Sequence, residues 1–186
     1  MSNNLLHTLE LPNWLSEVLV ENMIHNSDDE KMKFVLECGM KNIEKKSGGP
    51  FSAAIYNADN NELISVGVNV VTSQNCSVAH AEITAIMMAQ KKLRTYSLED
   101  GNYELFSSAQ PCAMCTGAIV WAGIKRLIFG ANKHDVETIV GFDEGPLHPE
   151  WKEEYKKRNI EVVENFMNDE AVKLLQKYKE LGGIVY

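Results

Sequence analysis

The chain has no apolar run near the roughly 18 residues that a membrane-spanning helix requires, so a helical integral membrane protein is not expected. Cysteine is scarce. Four residues, Cys38, Cys76, Cys112 and Cys115, are too few for a disulfide-built scaffold, and the close pair Cys112/Cys115 reads as a metal or redox site. Five prolines and 12 glycines exclude a collagen-like or proline-rich chain. Positive charge is also short: 18 Lys and Arg face 26 Asp and Glu, a net charge of −8. Such a chain is a poor electrostatic partner for nucleic acid, whose affinity rests largely on cations at phosphates. Residues 1–15 carry neither a basic segment nor a long apolar one, so no secretory signal is expected and a cytoplasmic location is.

What is present is ordinary globular material. Hydrophobic residues make up 45% and charged residues 24% of 186 positions, a length suited to one domain with its own core. Residues 1–26 read as an N-terminal extension and 27–186 as a single domain, with 182–186 a tail. A capping box at Ser27 and Glu30 opens the first long helix. Strands are expected at 51–57, 62–71, 103–109, 126–132 and 160–166. Helices are expected at 80–93, where Ile83, Ile86, Met87 and Leu93 share a side, and at 112–123, 134–140, 151–159 and 168–181. After the initial hairpin, helices and strands alternate, which implies crossover connections. The expected fold is therefore α/β: a three-layer α/β/α sandwich around a mixed five-stranded sheet.

Two segments carry chemistry. His80-Ala81-Glu82 alone means little, because His-x-Glu arises readily by chance. Pro111-Cys112-Ala113-Met114-Cys115 is far more specific in a chain with four cysteines and five prolines. Both fall where a helix N-terminus is expected, and free N–H groups with the positive end of the helix dipole favour thiolate there. One His and two Cys fill three positions of a zinc tetrahedron and leave the fourth open, the catalytic rather than the structural pattern. Glu82 is spaced to reach a water at that position without ligating. Cys76, four residues before His80, is the alternative fourth ligand; it would close the site and leave Glu82 without a role. Cys38 reads as a core thiol, and His7, His25, His134 and His148 as surface or loop residues.

His-x-Glu with Pro-Cys-x-x-Cys is the signature of zinc-dependent deaminases. On these residues the chain resembles the cytidine deaminase-like superfamily, and more closely the small bacterial guanine deaminases. The resemblance runs from about Gly48 to the C-terminus through Gly48-Gly49-Pro50-Phe51, Asn69, Ala79 to Ile86, Pro111 to Cys115 and Gly141-Phe142-Asp143-Glu144. It implies Zn²⁺ on His80, Cys112 and Cys115, and a proton shuttle at Glu82. It implies a purine held by Asn69 and the backbone around Ala81, with Phe51 and Trp121 near the base. It makes Glu144 a second acid that meets the guanine amino group, with Asp143 its competitor. It further implies a homodimer, of a family in which some members exchange tails, with Tyr186 approaching a site. Where relatives commonly carry Glu before Pro-Cys, this chain has Gln110. The expected reaction is hydrolysis of a free purine base, guanine to xanthine and ammonia. Deamination of tRNA adenosine, cytosine or ammeline, and a non-catalytic zinc module, are the alternatives. The C-terminal segment gives no basic patch, since residues 150–186 hold seven Lys and Arg against eight Asp and Glu.

Overall fold

Residues 8–186 are described by a computed structural model. Leu15–Val18 form a short helix, α1, and Asp28–Glu44 the long helix α2. The hairpin strands β1 and β2 span Ser52–Asn57 and Leu63–Val68. Then come α3 (Val71–Gln74), α4 (Ala81–Leu93), β3 (Tyr103–Ala109), α5 (Ala113–Ala122) and β4 (Arg126–Ala131). The chain closes with α6 (Lys133–Ile139), α7 (Trp151–Lys156), β5 (Glu161–Val163) and α8 (Asn168–Glu180). Ser27 caps α2 as expected, its hydroxyl accepting from the Glu30 N–H at 3.2 Å. The Glu30 carboxylate reaches back one residue further, to the N–H of Asn26.

The sheet order is β2-β1-β3-β4-β5. β1 runs antiparallel to both β2 and β3, while β3, β4 and β5 are parallel, so the expected mixed five-stranded sheet is present. Strand alternation sends side chains into two cores. On one face Ala54, Tyr56, Val66, Phe106 and Ile128 meet α2 and α8; on the other Ala53, Ile55, Ile64, Leu105, Leu127 and Phe129 meet α4, α5 and α7. The three layers follow. Among the described residues no helix is long and apolar enough to cross a membrane.

Several expectations need correction. The second strand stops at Val68; Val70 and Val71, apolar and β-branched, read as its continuation but instead lead into α3. The chain turns there because the Asn69 side chain accepts from the Val71 N–H. Helix α4 does not bury Met87, which is 43% exposed; its buried stripe is Ala81, Ala85, Ala89 and Ile86. Small residues let this helix lie close on β2. A Cβ on Gly67 would stand only 2.2 Å from the Ala81 carbonyl and 2.3 Å from the Ala85 nitrogen. The segment before α2 is more than a peripheral appendage, since Trp14 and Leu15 are buried in the α2 core and Ile24 bridges to Glu62. Residues 1–7, including His7, lie outside the described residues.

A charged cluster locks the sheet at the end where β3 and β4 begin. Lys31 and Glu104, each 3% exposed, form an ion pair at 2.5 Å. Arg126 joins Glu104 at 2.9 Å and Asp28 at 2.8 Å. These bonds tie α2 to β3 and β4 and leave the opposite ends of the strands for the site.

Candidate active site

The site forms where β3 ends and two helices begin. His80 occupies the N-cap of α4 and Cys112 the N-cap of α5, both in extended conformation and neither making a side-chain cap bond. Their side chains are thereby free to turn toward one another. Cys112 Sγ lies 3.6 Å from His80 Nδ1, and one ligand atom each from His80, Cys112 and Cys115 fall within 4.8 Å of one another. Bond lengths near 2.3 Å to sulfur and 2.0–2.1 Å to nitrogen at tetrahedral angles put S and N about 3.6 Å apart, so the donor set fits zinc in both chemistry and spacing. Cys76 is outside this cluster, and no fourth protein ligand closes it among the described residues. Cys38 is a buried core thiol as expected, burial pushing it up to about 12.

The protonation pattern suits a metal. A hydrogen bond from the Cys115 thiol, followed by one from His80, pulls Cys112 down to about 4 despite burial. Cys115 is shifted upward, as the partner that keeps the proton. Burial lowers the His80 pKa, but the Cys112 sulfur and the Glu82 and Glu144 carboxylates outweigh it and raise it. A dication would displace these protons and neutralise two thiolates.

Beside the donors lies a cavity of about 200 Å³ lined by Phe51, Asn69, Val71, Ser77, His80, Glu82, Ala109, Gln110, Cys112, Phe142, Asp143, Glu144 and Tyr186. Two carboxylates are buried in it, Glu82 at 6% exposure and Glu144 at 8%. Burial raises the Glu82 pKa, with the Cys112 thiolate adding to it. Burial, then Cys112 and Glu82, push Glu144 up to about 8. Asp143 is exposed, and its Oδ1 accepts from the Gly145 N–H at 2.8 Å, a turn-forming bond. Phe51, Phe142 and Tyr186 make an aromatic wall; Phe142 meets Phe51 edge-on at 5.2 Å and Tyr186 at 4.9 Å.

Asn69 follows β2 and is fully buried. Its Nδ2 has no hydrogen-bond partner, and an unpaired buried donor needs an explanation such as a ligand. Asn42 on α2 donates to the carbonyls of Gly49 and Asn69, both at 2.9 Å, and so clamps the two segments that carry Phe51 and Asn69. A Cβ on Gly49 would stand 2.5 Å from the Tyr186 hydroxyl, so glycine makes room for the tail. The tail enters the pocket of its own chain; the Tyr178 hydroxyl donates to the Ile184 carbonyl and steers it there. Ala81 opens α4 between His80 and Glu82, fully buried, and does not line the cavity.

Trp121 is not brought to this pocket. It is 86% exposed on the outer side of α5, where it edges a groove with Val120, Leu147 and Trp151. The helical period explains this, because six residues beyond buried Cys115 is about 240° around the axis. Asn42 and Ser77 are residues of the site or its support that motif reading misses, and Phe142, within the Gly141–Glu144 motif, is assigned no role by it. Asn42 was detectable as a polar residue on the apolar stripe of α2, one turn from Gly39 and beside Ile43.

Comparison with known proteins agrees with this geometry. Residues 25–131 match the cytidine and deoxycytidylate deaminase zinc-binding region. A guanine deaminase from Bacillus subtilis is 36% identical over 129 residues, covering 69% of this chain and 80% of the relative. A tRNA-specific adenosine deaminase from Buchnera aphidicola is 32% identical over 156 residues, 84% of this chain and 96% of the relative. The solved guanine deaminase from Nitrosomonas europaea superposes with a TM-score of 0.90 at 39% identity, covering 97% of this chain and 99% of the other. With its sheet, donor cluster and matched segment in agreement, the chain belongs to the zinc-dependent cytidine and deoxycytidylate deaminase family.

Proposed function

We propose that this protein hydrolyses free guanine to xanthine and ammonia, with residues 27–186 as its catalytic domain. The observation that carries the reading is one small pocket in which a buried carboxyl, Glu144, and an unpartnered buried amide donor, Asn69 Nδ2, accompany Glu82 and the metal donors. A cavity of about 200 Å³ walled by three aromatic rings suits one planar base. Guanine carries acceptors at O6 and N7 and donors at N1 and the 2-amino group. Asn69 supplies a donor and the Glu144 carboxyl an acceptor. The similarity to two guanine deaminases supports the same substrate.

The roles follow from position. His80, Cys112 and Cys115 would hold zinc, which supplies the acidification of a water when bound. Glu82 takes a proton from the attacking water as its oxygen bonds to C2, and passes that proton to ring nitrogen N3. As the C2–N bond breaks, Glu144 gives the proton with which the amino group leaves as ammonia. Glu144 regains a proton from the hydroxyl left on C2, which becomes the new carbonyl. Burial of Glu144 in the pocket favours its protonated form, which carries the proton this step needs. Phe51, Phe142 and Tyr186 orient the base and exclude bulk water.

The relative acting on tRNA supports a second reading, adenosine deamination. The acidic charge and the Tyr186 tail across the pocket argue for a free base instead. Ammonia release from guanine, adenine, cytosine, ammeline and tRNA, each with and without chelator, separates the readings. Chelator-sensitive release from guanine is expected. Release from tRNA alone, or zinc without any turnover, overturns the proposal. We further infer a cytoplasmic homodimer, with the exposed Trp121 groove against a second copy; a monomer in sedimentation at micromolar concentration would refute the pairing.

A further inference from the structure

We propose that Gln110 and Lys133 act together as positioning residues that hold the Glu144 loop over the site, an assignment that rests on the role of Glu144 given above. The loop of residues 141–147 has no helix or strand to support it. Its start is held by the Gly141 N–H donating to the Val136 carbonyl at 3.1 Å, and two further bonds tie down the stretch around Glu144 from outside. The Ala113 N–H, one residue past Cys112, donates to the Glu144 carbonyl at 3.0 Å. The Lys133 ammonium donates to the next carbonyl, Gly145, at 3.4 Å and pairs with Glu137 at 3.3 Å. Lys133 is the first residue of α6, and its own N–H donates to Gln110 Oε1 at 3.1 Å.

Gln110 is itself fixed, its N–H donating to the Ala131 carbonyl at 2.7 Å. It stands two residues before Cys112. The chain of bonds therefore runs from the segment carrying the metal donors, through the first turn of α6, to the residue after Glu144. Each end of the reaction centre is referenced to the other through Gln110 and Lys133. The amide suits this link. Its Oε1 is the acceptor that the backbone N–H of Lys133 needs.

A misplaced proton carrier costs turnover more than binding, and displacement on the ångström scale costs up to about a hundredfold. Lys133→Met, which keeps the stem and loses the donor, should lower kcat on guanine about ten- to hundredfold, with KM changed by less than about threefold. Gln110→Ala should do the same, whereas Gln110→Glu and Lys133→Arg, which keep the acceptor and the donor, should restore most of kcat. Zinc content and melting temperature should match the wild type throughout. A readout independent of substrate is hydrogen–deuterium exchange on the zinc-loaded protein, where Lys133→Met should speed exchange at the Ala113 and Leu147 amides. Normal kcat in both loss variants, or faster exchange spread over the whole chain, overturns the proposal. A wild type inactive on guanine would sink the functional reading instead, and the exchange measurement would still decide whether Lys133 holds the loop.

Discussion

The Tyr186 hydroxyl donates to Asn69 Oδ1 at 2.5 Å, joining residues 117 positions apart. That oxygen also accepts the Val71 N–H at 3.3 Å. With both acceptor sites of Oδ1 used, the amide can present only Nδ2 to a ligand. Tyr186→Phe removes one of the two bonds that set this orientation. Leaving a buried group unpaired costs about 1–3 kcal/mol, so KM for guanine should rise about tenfold while kcat falls less. Steady-state kinetics of the variant check this, and an unchanged KM would free Tyr186 from the role.

Glu82 and the metal donors should separate cleanly by mutation. Glu82→Gln should keep zinc and fold and lose about 10²–10⁴ in kcat. Cys112→Ser should lose zinc, whereas Cys76→Ser, outside the donor cluster, should retain it. Elemental analysis beside turnover measurements tests all three; full zinc in Cys112→Ser would refute the ligand assignment.

The two neighbouring acids should differ sharply. Glu144→Gln keeps hydrogen bonding but cannot carry a proton, so kcat should fall far more than KM rises. Asp143→Asn keeps the acceptor that Gly145 N–H uses and should change both constants by less than about threefold. A larger kcat loss in Asp143→Asn reverses the assignment.

A pH dependence of stability follows from His25. Its Nδ1 lies 2.7 Å from the Tyr56 hydroxyl, and its ring packs on Phe34 at 5.0 Å. Burial pushes its pKa below 6.5, with Lys31 assisting and Glu30 and Glu37 opposing. The unfolded chain therefore binds this proton more readily than the folded one. The contribution is complete above 6.5 and is lost as pH falls through the folded value. The stability advantage of the wild type over His25→Gln should be full at about pH 7.5 and shrink toward about pH 5. Denaturant titrations across that range test it; a constant advantage would show that the ring is not held neutral.

Much of this site was legible because its chemistry is local in sequence. His80 with Glu82, and Cys112 with Cys115, sit within single helix starts, so spacing alone brings them together. The alternation of strands and helices after the β1–β2 hairpin announced the layered sheet. What escaped is set by tertiary direction. Val70 and Val71 look like strand, and only the Asn69 side chain turning back on Val71 ends β2 there. Trp121 lies near the metal motif in sequence, yet the helical period points it to the far side of α5. Met87 looks like core until the alanine stripe of α4 is seen lying close on Gly67. The Gln110–Lys133–Gly145 link needs three separate segments to converge, and no short window contains it.

His80 and Cys112 stand at the N-caps of α4 and α5, where Ser, Thr, Asp or Asn ordinarily accepts a backbone N–H, and neither residue does so. Both helices thus give up a cap to aim a donor at a shared point. A dication there, its charge balanced by two thiolates, acts as a rivet between the two helix starts. Metal occupancy then sets how firmly the first turns of α4 and α5 are wound, and chelation should be felt as fraying at those turns before the rest of the sheet responds.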